Sequence, residues 1–131
     1  MEWLKYVFGV IGGLLLNSLG GFDLVLQTLL ALVVLDYISG VLKAGYRGKL
    51  STKIGFKGIC RKVAMFFAIM LTVIIERILG GSLPLREITI MFFIVNESLS
   101  IIENLGRIIK LPDEIERAVK SLKGGSNNGD Y

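Results

Sequence analysis

The chain has 131 residues, 53% of them hydrophobic, with a mean hydropathy of +0.66 and a formal net charge of +4. Soluble domains run about 45–50% apolar and about 25% charged, so 20% charge beside that apolar share excludes an ordinary soluble enzyme and points to a membrane protein. There is no histidine and one cysteine, Cys60, which excludes histidine-based triads, zinc–histidine chemistry and an intramolecular disulfide; no cofactor and no metal site is expected.

Four apolar segments follow in chain order: about 3–19, 22–42, 61–79 and 88–109. A bilayer crossing takes about 20 residues, within a range of about 17–25. The second and fourth segments meet that length. The first, with Lys5 and Asn17 near its ends, either crosses or lies along the surface, so the chain reads as an all-α integral membrane protein of three to four transmembrane helices. Gly9 and Gly13 in this segment have the spacing that brings membrane helices close. The third segment is uninterrupted only from Val63 to Ile75, and Lys62 and Arg77 are expected to snorkel toward the two interfaces.

Between the second and third segments stands a basic loop, 43–60. Lys43, Arg47, Lys49, Lys53, Lys57, Arg61 and Lys62 are seven of the fifteen basic residues, and no acid interrupts them. Gly45, Gly48, Gly55 and Gly58 argue for turns there rather than one helix. Such clustering marks a cytoplasmic loop, not a nucleic-acid surface, and its cations can touch anionic lipid heads. The loops on the other side hold Asp23 and then Glu76, Arg77, Arg86 and Glu87, without a positive excess.

The transmembrane domain is expected over 1–110, and 111–131 then forms a cytoplasmic tail. Acids Asp113 and Glu114 follow Pro112 at a helix start, and Leu111, Ile115, Val119 and Leu122 recur at near-helical spacing. The expectation is a short amphipathic helix, followed by a disordered stretch from Gly124 to Tyr131.

The informative residues in a membrane are the polar ones, since an ionisable group at mid-bilayer costs about 2.5–3.5 kcal/mol on insertion scales. Asn96, Glu97, Ser100, Glu103, Asn104 and Arg107 fall within about a third of the helix circumference at about 100° per residue. This stripe faces either partner helices or water, as a polar seam or a pore lining. Glu103 and Arg107 also have the spacing of an ion pair. Asp36 is a membrane-embedded acid on one face with Ser39, Gly40 and Lys43. It serves either as an ion carrier or, preferably, as a structural partner for Lys43 or Lys62.

Three stretches resemble the phage-lysis and toxin-secretion holin family of Gram-positive bacteria and their phages. They are Leu35-Asp36-Tyr37-Ile38-Ser39-Gly40 continuing to Lys43-Ala44, Leu50-Ser51-Thr52-Lys53 with Gly55 to Ile59 and Arg61-Lys62, and Asn96-Glu97-Ser98-Leu99-Ser100-Ile101-Ile102-Glu103-Asn104. The resemblance covers about residues 22–123. It implies a homo-oligomer in the bacterial cytoplasmic membrane that forms timed lesions, with an endolysin or toxin as functional partner that it need not touch. The rival class is a small four-helix ion channel or transporter working as a dimer. Its exporter form uses an acid in the first helix, and the first segment here has none.

Overall fold

The computed structural model describes the backbone over residues 1–127 and the side chains over 1–123. Five helices follow one another: α1 Glu2–Ser18, α2 Leu24–Tyr46, α3 Thr52–Ile78, α4 Leu85–Gly106 and α5 Asp113–Asn127. Three of them, α2, α3 and α4, are long and apolar enough to cross a membrane. Neither proline of the chain, Pro84 or Pro112, falls inside a helix, where it would break the backbone ladder.

Each junction has a local cause. The Asp23 carboxylate accepts a hydrogen bond from the Leu26 amide at 3.1 Å and caps α2. Gly20 and Gly21 take left-handed φ values of 88° and 108°, and a Cβ on Gly20 would stand in the Arg86 side chain, so this turn demands glycine. The Ser51 hydroxyl caps α3 at the Ile54 amide. Gly80 and Gly81, also at positive φ, close the α3–α4 turn.

In the bundle of three long helices α2 and α4 run parallel, Arg86 meeting Asp23 near one end and Asn104 meeting Asp36 nearer the other, with α3 reversed between them in sequence. Helices α2 and α4 pack most extensively, α3 leans on α4, and α2 and α3 meet mainly through side chains such as the Lys62–Asp36 pair. The apolar core fills the half of the bundle nearest the α1–α2 turn. Leu26, Leu29 and Val33 line one face of α2, with Ile69 of α3, Ile90 of α4 and Leu19 packed on them. Around it stands a belt of exposed large apolar side chains, among them Val34, Ile38, Phe67, Leu71, Met91 and Phe92. A belt of this size suits lipid rather than water.

Helix α1, 17 residues long, buries no residue of its own. At 1.5 Å per residue it spans roughly 25 Å, under the ~30 Å hydrocarbon thickness. Gly9 and Gly13 have nothing within contact distance of a built Cβ, so the expected close packing at that spacing is not formed among the described residues.

Two boundaries differ from the sequence expectation. The basic stretch is mostly helical: Lys43 and Gly45 belong to α2, Lys53, Gly55, Lys57, Gly58, Arg61 and Lys62 to α3, and only 47–51 form the turn. The Ser51 cap starts α3 at Thr52, and Gly55 lies where the Tyr37 hydroxyl comes close, so the glycine serves packing instead of breaking the helix. At the other end α5 continues through Asn127, past the point where disorder was expected; residues 128–131 lie outside the described ones.

Candidate functional site: a polar network at mid-bundle

Below the apolar core, toward the α2–α3 turn, the bundle interior turns polar. Lys62 reaches inward from α3 and donates to the Asp36 carboxylate of α2 at 2.6 Å and to the Glu97 carboxylate of α4 at 2.9 Å. All three side chains are largely enclosed, at 14%, 12% and 9% exposure. Lys62 therefore does not snorkel. Because α3 begins at Thr52, Lys62 stands more than two turns inside the helix, with two carboxylates within hydrogen-bond reach.

Asn104 closes the network. Its amide donates to Asp36 Oδ1 at 3.2 Å, to the Asp36 carbonyl at 3.3 Å and to the Ser39 hydroxyl at 3.0 Å. Ser39 in turn donates to the Asp36 carbonyl at 3.0 Å. Among the described residues no buried side-chain nitrogen or oxygen lacks a partner. One ammonium between two carboxylates nonetheless leaves the cluster an excess negative charge when both acids are ionised. Burying such a cluster is tolerated only because each group is paired, and removing one partner strands the others.

The six-residue stripe of α4 is thereby divided. Glu97 and Asn104, on one edge, are buried in the bundle, and Ser100 lines the cavity beside them. Asn96 and Arg107, roughly 60–100° away around the helix, are exposed, and Glu103 is half-buried. The expected Glu103–Arg107 pair does not form. Arg107, the C-cap of α4, is exposed, and Glu103 pairs instead with Lys123 of α5. Of Asp36's expected companions, Ser39 is in the network and Gly40 lies under Asn104, while Lys43 lines a neighbouring cavity.

A second polar cluster, which sequence reasoning left as loop charges, clasps the opposite end. Arg86, at 4% exposure, donates to the Asp23 carboxylate at 2.7 and 3.0 Å, to the Gly21 carbonyl at 3.1 Å and to the Leu19 carbonyl. The fork geometry of guanidinium suits this bidentate contact. Asp23, just outside the spans, has its pKa lowered to about 2, chiefly by the Arg86 hydrogen bond. The signal available in the sequence was an acid directly before an apolar run, the position of an N-cap.

The fold and its buried network define a multi-pass membrane protein with three helices long and apolar enough to span. The Bacteriophage holin family model matches residues 13–124, and the chain belongs to that family. It is 40% identical over 86% of its length to an uncharacterized protein of Listeria monocytogenes, covering 82% of that protein. An uncharacterized 14.9 kDa protein of Clostridium perfringens is 31% identical over 93% of this chain and 94% of its own length. A probable holin of Bacillus phage phi105 is 35% identical over 66% of this chain and 65% of its own. No solved structure matches.

Proposed function

We propose that this chain is a holin: it accumulates in the bacterial cytoplasmic membrane, self-associates, and opens lesions through which an endolysin or a toxin leaves the cytoplasm. The α2–α3 turn and the C-terminal helix face the cytoplasm in this reading, as the Lys43–Lys62 cations require. No enzymatic step is involved, in keeping with a family of membrane proteins.

The observation that carries the reading beyond family membership is the divided stripe of α4. Its inner edge is satisfied within one copy by Asp36, Ser39 and Lys62. On its outer edge Asn96, near the middle of the span, makes no side-chain hydrogen bond among the described residues and is exposed on the bundle surface, while Glu103 beside it pairs with Lys123. A polar group there is unfavourable against lipid and gains a partner when another copy, or water between copies, meets it. Isolated bundles are thus stable enough to accumulate, and association is favoured as density rises.

The test is a lysis curve. The protein is induced in a bacterium with and without a cytoplasmic wall hydrolase that lacks an export signal, while culture density, membrane potential and release of a folded cytosolic enzyme are followed. The expected outcome is abrupt lysis that requires the hydrolase, with the folded enzyme released. Collapse of the potential without release would replace the reading with an ion-conducting channel. Continued growth with the protein well inserted would remove it.

A further inference from the structure

The α2–α3 turn encloses a cavity of about 380 Å³ above the Asp36–Lys62 network, within the size range of ligand sites. Its rim holds Lys43, Arg47 and Lys49, and its walls include Val41, Leu50 and Ile54. None of the three cations has an ion-pair partner among the described residues. The only carboxylate lining the cavity, Asp36, is already held by Lys62. The rim is therefore a set of positive charges without an ion-pair partner among the described residues.

Val41, Leu50 and Gly55 also line a second hollow of about 450 Å³, which runs on past Phe56 and Ile59. This second hollow lies along the seam between α2 and α3, the pair of long helices whose backbones come close at the fewest places. A ligand that fills both hollows carries an anionic group at one end and an apolar chain at the other. It also lies with its charge at the end of the spans and its chain along them, which is how a bilayer lipid is oriented.

We propose that the α2–α3 seam is a binding site for an anionic phospholipid. The phosphate sits among Lys43, Arg47 and Lys49, and an acyl chain lies in the groove past Val41, Leu50 and Phe56. Basic pockets between helices at a membrane surface favour anionic headgroups in this way, and the chain fills space that the α2–α3 pair leaves open. The inference stands apart from the lysis reading, because binding is measured with no lesion formed.

The full chain in neutral detergent is titrated with dimyristoyl phosphatidylglycerol, dimyristoyl phosphatidylcholine, glycerol 3-phosphate and inorganic phosphate, and bound lipid is counted by native mass spectrometry. Two variants of equal charge change are compared: Arg47→Gln with Lys49→Gln on the rim, and Lys53→Gln with Lys57→Gln on α3 outside the cavity. Phosphatidylglycerol is expected to bind the parent chain in preference to phosphatidylcholine. The rim pair is expected to weaken it about 25-fold, as about fivefold for each cation at about 1 kcal/mol, and the outside pair less than threefold. Equal losses in both variants would show diffuse attraction and overturn the site. Equal binding of phosphatidylcholine would overturn its charge selectivity, and competition by inorganic phosphate as strong as by the lipid would overturn the role of the groove.

Discussion

Lys62 is the residue on which the mid-bundle network depends. It is the one cation among the described residues within reach of both Asp36 and Glu97, and both carboxylates are largely enclosed. Lys62→Met should therefore destabilise the bundle by about 3–5 kcal/mol, the cost of stranding buried partners. Adding Asp36→Asn and Glu97→Gln to that variant should restore most of the loss, because amides can hydrogen-bond one another without a charge to solvate. Reversible unfolding of the three proteins in mixed micelles would measure this. A triple variant no more stable than Lys62→Met would mean the network's shape, not its charge balance, holds the helices. Asp36 was legible in the sequence as an acid needing a basic partner, since a charge inside an apolar run announces itself. Lys62 was one of the two partners expected for Asp36, and it fills that role. The expectation that it snorkels fails because it stands at the edge of the apolar core beginning at Val63, and only the true start of α3 shows how deep it lies.

The helices themselves were legible from apolar runs and from the acids after Pro112, but their ends were not. A run of Lys53, Lys57 and Arg61 at four-residue spacing is as consistent with a helix carrying its cations on one face as with a loop, and Gly55 and Gly58 tipped the reading toward turns. Tertiary contact decided it: Gly55 sits by the Tyr37 hydroxyl, and the Ser51 cap fixes the start of α3. The α1–α2 junction was less legible still, because Arg86 lies 63 residues from Asp23 along the chain and no local pattern pairs them. That clasp has a pH signature. Asp23 has a folded pKa of about 2 against an ordinary value of 3.8, while Arg86 stays charged throughout. Its contribution is fully present above 3.8 and is lost as pH falls through about 2. Thermal midpoints of the detergent-solubilised protein should drop across that window, and Asp23→Asn should flatten this part of the curve while lowering the midpoint at neutral pH. An unchanged slope in Asp23→Asn would assign the acid response to other carboxylates.

At the scale of the whole molecule two features of the described residues stand open, Asn96 on the outer edge of α4 and the hollow between α2 and α3. The sequence showed a six-residue polar stripe and left open whether it was a seam or a pore lining. Each edge of it has its own surroundings, a division invisible until the packing of α4 on α2 is known. Asn96 then becomes the position where contact between copies should be most sensitive. An interhelical hydrogen bond in a membrane is worth about 0.6 kcal/mol on average and up to about 1–2 kcal/mol, so removing one raises the density needed for association by roughly three- to thirtyfold. Asn96→Leu should accordingly delay the onset of lysis and shift cross-linked species from large oligomers toward monomers at equal membrane levels. Asn96→Gln, which keeps an amide at the same place, should recover much of the timing. Val95→Leu, on the neighbouring exposed apolar position, should leave it unchanged. Because each copy in a growing assembly meets more than one neighbour, a modest loss per contact compounds, and the delay should be steeper in protein level than for a simple dimer. If Asn96→Leu lyses on the same schedule as the parent chain, the outer edge is only a lipid-facing surface, and association must be driven from α1 or from the exposed apolar faces of α2 and α3.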